Sequence, residues 1–337
     1  MNSILKNNLN QLMSEQGIVD WGYTENIAAQ TYDKFSSWVD EGNHGPLHYL
    51  SDHRKEARVD LTSVVNNAKS ALCFLFTYHP QKLALEDFYQ SEESNGLKIA
   101  SYVTGFEGYD YHLLLRDKLT TIGEKVQENH PTPLNWRHSL DIQPVLERDL
   151  AYRAGLGWFG RNSMLISKEH GSFFIIGSLI FDDTLGLETR PLESDHCGQC
   201  NACVEACPTQ AIDGNNRTLK ANDCISTWSI ELFKEGAPAP KGMEESGQYF
   251  FGCDICQDVC PWNKRPLRLG LQASDKSSFL QSIDKLKKAF LSPPLEKLIQ
   301  KLEKKSNSGF SKEFKETSLG RTGRRGLLKN LQFWKKP

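Results

Sequence analysis

A chain of 337 residues with 39% hydrophobic content can bury a sizeable core and divide into two or three domains. No apolar run approaches the roughly 20 residues that a membrane span needs, and the N-terminus carries no twin arginine or cleavable apolar core, so a cytoplasmic protein with reduced thiols is expected. The net charge of −2 hides a split: residues 264–337 hold 19 Lys+Arg against 6 Asp+Glu, leaving 21 against 36 in front of them, and a basic tail behind an acidic body suits a polyanionic partner as well as a solvated lysine-rich helical face.

Ile4, Leu5, Leu9, Leu12 and Met13 recur at helical spacing, so residues 3–15 form an amphipathic helix, and a second short helix covers Tyr32 to Glu41. Gly42 to Pro46 reads as a loop. The apolar run Ser70 to Tyr78 reads as a buried strand, with Cys73 as a core residue because no partner stands at ligand spacing. Tyr111, Leu115, Leu119, Ile122 and Val126 fall on one face of a long helix between Tyr109 and Gln127. Asp141 to Val145 is expected to be extended, and Glu147 to Ala154 helical up to Gly155.

The glycine-rich Gly155-Leu-Gly157-Trp-Phe-Gly160 follows no strand and lacks the acidic residue of a dinucleotide site. Its glycines suit a structural turn and close backbone approach to a flat ligand equally. Phe173 to Phe181 is a second apolar strand, and alternating helices and strands make residues 1–187 an α/β (α+β) domain. From Ser277 to Lys305 the apolar positions Leu280, Ile283, Leu286, Phe290, Leu295, Leu298 and Leu302 predict two helices broken at Ser292-Pro293-Pro294, with another from Gly323 to Phe333. Residues 267–337 are therefore expected to form a short helical, HEAT-like extension.

The cysteines carry the chemistry. Cys197, Cys200, Cys203 and Cys207-Pro208 form C-x2-C-x2-C-x3-C-P, and Cys253, Cys256 and Cys260-Pro261 form C-x2-C-x3-C-P. Three thiolates at i, i+3 and i+6 each reach one corner of a cubane, and the fourth, stopped by proline, is aimed at the other cluster, as in two-cluster bacterial ferredoxins. Cys197, Cys200 and Cys203 then pair with Cys260, and Cys253 and Cys256 with Cys207. The second cluster is one ligand short, because Phe250 stands at the missing position, and the isolated Cys224 is assigned as its substitute. Zinc sites favour C-x2-C pairs split by a longer loop, and disulfides need an oxidising compartment. Residues 188–266 are thus expected to be a ferredoxin-like domain holding two [4Fe-4S] clusters. The excess of chain around it points to an enzyme with a second cofactor.

Asp141-Ile-Gln-Pro-Val-Leu-Glu-Arg148, Ala154-Gly-Leu-Gly-Trp-Phe-Gly-Arg-Asn162-Ser-Met-Leu165-Ile166, Gly45-Pro-Leu-His-Tyr-Leu50 with Arg54 and Arg58, Cys224-Ile-Ser-Thr-Trp-Ser-Ile-Glu231 and Gly323-Arg-Arg-Gly-Leu-Leu-Lys-Asn-Leu331 together resemble the epoxyqueuosine reductases. The resemblance spans nearly the whole chain. It implies an N-terminal domain similar to the cobalamin domains of reductive dehalogenases, binding base-off cobalamin without a protein histidine. It implies reduction of epoxyqueuosine to queuosine at the wobble position of a tRNA anticodon, with electrons relayed by the clusters from an external low-potential donor. Asp141 matches the family's catalytic aspartate, a general acid for C–O cleavage whose proton burial would retain. Arg58, Thr104, Asp141, Arg148, Asn162 and Leu165 match or lie beside cobalamin-contacting positions, and Arg321, Arg324, Arg325 and Lys329 are candidates for contacts to the anticodon stem-loop. A monomer away from any membrane is expected. Ser229 stands where many relatives have threonine, and the chain stops soon after Leu331, where many continue through a fuller helical repeat. A reductive dehalogenase and a pure electron carrier are the competing readings.

Overall fold

The computed structural model describes residues 2–105, 109–232, 237–273 and 283–335. Backbone contacts gather the chain into two compact units, Met1–Thr77 with Leu114–Cys200, and Tyr78–Leu113 with Asn201–Pro337.

The first unit is built on an antiparallel four-stranded sheet in the order Asp20–Thr24, Ser70–Thr77, Phe174–Phe181, Trp136–Ser139. The two apolar runs lie side by side at its centre, paired from Ser70 with Phe181 through Thr77 with Phe174. Both faces of Ser70–Thr77 are covered, which is why that strand reads as continuous rather than alternating. The sheet is α+β in character. The predicted helix runs Tyr111–Glu128 and buries Leu115, Leu119, Ile122 and Val126; a Cβ on Gly177 would stand 3.1 Å from Leu119, so this helix lies close on the sheet. Helix Glu147–Arg153 sends Leu150 and Ala151, with Ala154 just beyond its end, into a cluster with Ala71, Cys73, Leu75 and Ile180. Cys73 is a core residue, fully buried, and burial pushes its thiol up to about 12.

Two expectations change here. Residues Asp141 to Val145 are not extended: Asp141 adopts φ 60°, in the left-handed region, and its segment is a bent loop. The glycine-rich turn serves the chain itself. Gly155 at φ 73° closes the preceding helix, with Gly155 N–H donating to Tyr152 O and Leu156 N–H to Ala151 O, the six-to-one and five-to-two pattern of a Schellman cap. At Gly157 a Cβ would stand 2.1 Å from Ile166 O, so only glycine lets the hairpin of Trp158–Phe159 and Leu165–Ile166 close.

In the second unit, helices Leu295–Lys304, Asn307–Phe314 and Leu319–Phe333 share one core with Ala84, Leu85, Phe88, Leu97, Ile99 and Val103 and with Phe250 and Phe251. The tail is therefore not a separate extension from residue 267, since its apolar faces are buried against segments far earlier in the chain. The break at Ser292–Pro294 is present, whereas Leu280 and its neighbours lie outside the described residues. Gly323 at φ 68° interrupts the last helix, which resumes at Arg324. Among the described residues no helix is long and apolar enough to cross a membrane.

Candidate functional site

The second cluster's predicted ligands are delivered by three separate pieces of the second unit. Cys207 follows helix Ala202–Ala206, Cys224 precedes a helical segment that continues through Thr227–Glu231, and Cys253 and Cys256 flank the start of helix Ile255–Asp258. Helices Ala202–Ala206 and Ile255–Asp258 pack against each other, as a cross-over of cysteines between two clusters requires. Burial raises the thiols of Cys224, Cys253 and Cys256. Each is raised further by cysteine neighbours: Cys207 for Cys224, Cys224 and Cys207 for Cys253, and Cys253, Cys224, Cys203 and Cys207 for Cys256. Cys224 thus stands among the thiols it was expected to join. Phe250, at the position lacking a cysteine, is fully buried in the hydrophobic core.

Hydrogen bonds tie these pieces together. Ser229 Oγ donates to Ile225 O at 2.7 Å and accepts from the N–H of Gly252, the residue before Cys253, at 2.9 Å. The Ser229 hydroxyl therefore joins the Cys224 helix to the Cys253 loop. Lys82, almost wholly buried, reaches Asp258 at 2.6 Å, Glu86 at 2.7 Å and Asp254 at 3.6 Å. Asp254 also accepts from Ser101 N–H and Oγ. This charged network grips the Cys253–Cys260 loop at Asp254 and Asp258; Glu86 stands one helical turn from Lys82, but the two aspartates lie more than 170 positions away, where no spacing rule links them to it.

Partly buried thiols that feel one another's charge are the kind of donor set that a [4Fe-4S] cubane takes, and Cys207, Cys224, Cys253 and Cys256 fit it in chemistry. Of the residues expected to hold the first cluster, Cys197 and Cys200 belong to the first unit and Cys203 and Cys260 to the second. Among the described residues no group of three or more His, Cys, Asp or Glu is gathered closely enough to hold a single metal ion.

The candidate acid lies in the first unit. Asp141 is exposed beside Ile142, which is 70% exposed. Glu147 Oε1 accepts from the Asp141 N–H at 2.6 Å and from Ser139 Oγ at 2.9 Å. Burial first, and the Asp141 carboxylate second, push the Glu147 carboxyl up to about 8. Arg148, whose ordinary value burial lowers, donates through Nη1 to Ser163 O and faces the charges of Asp141 and Glu147. Asp141, Ile142 and Arg148 thereby bring an acid, an apolar side chain and a guanidinium to one stretch of the first unit.

The other predicted cofactor contacts have work within the fold. Asn162 is buried and accepts from Met164 N–H at 3.2 Å, shaping the turn that carries Ser163. Leu165 is buried in the hairpin. Arg58, also buried, donates to Arg54 O and lies over the Phe35 ring at 5.7 Å. Thr104 belongs to the second unit, fully buried, with its hydroxyl on Ser101 O.

Three of the four tail cations expected to meet RNA are engaged internally. Arg321 makes a two-pronged pair with Asp110 at 3.0 and 3.0 Å, Arg324 donates to Asn307 Oδ1 and Leu302 O, and Lys329 donates to the carbonyls of Trp228 and Leu232. Arg325 is exposed. The sequence displays such charges without displaying their partners.

Residues 196–263 match a 4Fe-4S double cluster binding domain, and residues 58–141 match the epoxyqueuosine reductase QueG domain. The chain is 37% identical to the epoxyqueuosine reductase of Cyclobacterium marinum over 307 residues, 90% of this chain and 87% of the relative. It is 33% identical to that of Leadbetterella byssophila over 304 residues, 90% and 88% of the two chains. Its fold is similar to a crystal structure of epoxyqueuosine reductase with an epoxyqueuosine-modified tRNA-Tyr stem loop, with TM-score 0.71 at 23% identity over 98% of this chain and 80% of that one. With its iron–sulfur domain, the protein is an oxidoreductase, and the chain belongs to the epoxyqueuosine reductase family.

Proposed function

We propose that this protein reduces the epoxide of epoxyqueuosine at the wobble position of a tRNA anticodon, giving queuosine. Both C–O bonds of the epoxide break, a C=C bond forms and the oxygen leaves as water. The conversion consumes two electrons and two protons. The electrons come from an external low-potential donor and pass through two [4Fe-4S] clusters, one held by Cys197, Cys200, Cys203 and Cys260, the other by Cys207, Cys224, Cys253 and Cys256. Cobalamin, when bound, supplies a strongly reducing centre against the substrate. Asp141, Ile142 and Arg148 would offer it a surface, and Arg58, Asn162 and Leu165 of the same unit, with Thr104 of the other, are the further candidate contacts.

Asp141 gives a proton to the departing epoxide oxygen, which would otherwise leave as an unstable alkoxide. Arg148 faces Asp141 and orients it. Arg325 binds RNA phosphate, and the exposed basic tail adds affinity that does not depend on sequence. The observation that carries the reading is the gathering of Cys224 with Cys207, Cys253 and Cys256 in a chain whose relatives bear this activity. The test is turnover of epoxyqueuosine-containing tRNA by protein reconstituted with iron, sulfide and cobalamin. Queuosine formation that is lost in Asp141→Asn, with cobalamin and iron retained, is expected. Normal turnover by that variant would remove Asp141 as the donor, and absence of any queuosine from wild type would overturn the function.

A further inference from the structure

Glu147 opens its helix six residues after Asp141 and turns back over the loop between them. A single oxygen, Oε1, receives the Asp141 N–H at 2.6 Å and the Ser139 hydroxyl at 2.9 Å. The amide one position earlier, Leu140 N–H, is taken by Gln143 Oε1 at 3.2 Å. Asp141 itself holds φ 60°, in the left-handed region that aspartate tolerates better than most side-chain residues. The contact that holds its amide there is the carboxyl of Glu147. No regular sheet or helix hydrogen bonding maintains this stretch, since residues 140–144 lie between strand Trp136–Ser139 and the helix.

The geometry points to Glu147 as a positioning residue for Asp141: its carboxyl latches the backbone of the acid in a left-handed turn, fixing where the Asp141 side chain is presented. This rests on the reading of Asp141 as proton donor. The latch explains why a carboxyl is enclosed at the start of a helix without capping that helix. Glu147 Oε1 spends its lone pairs on the preceding strand and loop, so the loop's shape is written by a residue outside it. A proton donor on a loop free to wander would protonate the epoxide oxygen only in a fraction of encounters, and the latch removes that loss.

Hydrogen exchange read by mass spectrometry on the iron- and cobalamin-reconstituted enzyme tests this, following the peptide over residues 139–146. Glu147→Ala removes the acceptor and is expected to speed exchange of that peptide about tenfold. It should lower kcat by a similar factor, with KM and iron content unchanged. Glu147→Gln keeps an acceptor oxygen and is expected to exchange like wild type. Should Glu147→Ala fail to fold, Glu147→Asp withdraws the oxygen by one methylene and is expected to show the same acceleration in part. Wild-type exchange in Glu147→Ala, or in Glu147→Asp where that is the variant available, overturns the latch. Asp141→Asn keeps its backbone N–H and should keep the protection, so normal turnover in that variant would sink the proton-donor reading while the exchange data still judge Glu147.

Discussion

Asn330 donates to two carbonyls at once, Ser229 O at 2.7 Å and Phe250 O at 2.9 Å. The first belongs to the helical segment after Cys224, the second to strand Tyr249–Phe251 just before Cys253. A side chain of the last helix thus clamps together the two backbone pieces that bring Cys224 beside Cys253, and it does so where no water reaches. Replacing it by alanine leaves two buried carbonyls each without one donor, at about 1–3 kcal/mol apiece. Asn330→Ala is expected to lower the denaturant midpoint accordingly and to release iron from the second cluster first. Iron analysis and electron paramagnetic resonance during chelator challenge check this; loss of both clusters together would show that the clamp does not act on the second one selectively.

Lys82 makes a parallel case on the other side of the same loop. Burial alone would pull its ammonium down, but Asp254, Asp258 and Glu86 together raise it, so it stays charged throughout the working range. Lys82→Met keeps the stem and removes the charge, leaving Asp254 buried without its cation. Breaking a buried pair in this way costs about 3–5 kcal/mol. The expected outcome is a protein that holds less iron and unfolds at lower denaturant. Lys82→Met together with Asp254→Asn should recover part of the loss, measured by denaturant titration of the four members of the double-mutant cycle.

Arg321 and Lys329 separate two uses of a basic residue. Arg321 grips Asp110, whose carboxyl burial would raise but which hydrogen bonds from His112 and Arg321 hold well below the usual carboxylate range. A depressed carboxylate contributes stability above its unfolded value and loses it as pH falls through the folded one. Arg321→Met is therefore expected to cost about 1–3 kcal/mol at neutral pH, and the deficit should narrow in acid as Asp110 protonates in both proteins. Lys329 lies over the Trp228 ring at 4.0 Å while donating to Trp228 O and Leu232 O, so it braces the Cys224 segment. Arg325→Ala should weaken binding of a tRNA stem loop and reduce the slope of log affinity against log salt by about 1, whereas Lys329→Met should leave that slope unchanged. Equal slopes for wild type and Arg325→Ala would remove Arg325 from the RNA contact.

What was legible in the sequence follows from the range of each interaction. Cysteine spacing is local chemistry, so Cys197 to Cys207 and Cys253 to Cys260 announce clusters outright, and the absence of a cysteine at Phe250 directs attention to Cys224. Helical and strand periodicity found Tyr111–Glu128 and the central pair of strands for the same reason. The tail's place in the fold is not legible, because apolar spacing shows that a face is buried but not against what: Phe290, Phe310 and Leu327 join Phe88 and Val103 across some 200 positions. Basic residues counted as free charge were paired with Asp110 and with backbone carbonyls. The Asp141 loop looks extended in sequence because nothing in its own residues records that Glu147 seizes its amide.

That contact also fixes a pH signature. The Glu147 carboxyl is raised from 4.5 to about 8, first by burial and then by the Asp141 carboxylate, with Ser139, the Asp141 N–H and Arg148 pulling the other way. Cys73, on strand Ser70–Thr77, also feels the Glu147 charge, and its thiol stays neutral through this range. A group whose folded value lies above its unfolded one contributes stability that is complete below the unfolded value and is lost as pH climbs through the folded one. Wild type is therefore expected to lose stability steadily between pH 5 and pH 8 through this group. Glu147→Gln, which cannot ionise, should lack that decline, so the two curves converge or cross towards the alkaline end. Urea titrations at half-unit steps of pH measure the difference directly. Parallel curves for the two proteins would mean that Glu147 ionises in the folded state as freely as in the unfolded chain, and that its carboxyl is not enclosed against Asp141 as the geometry requires.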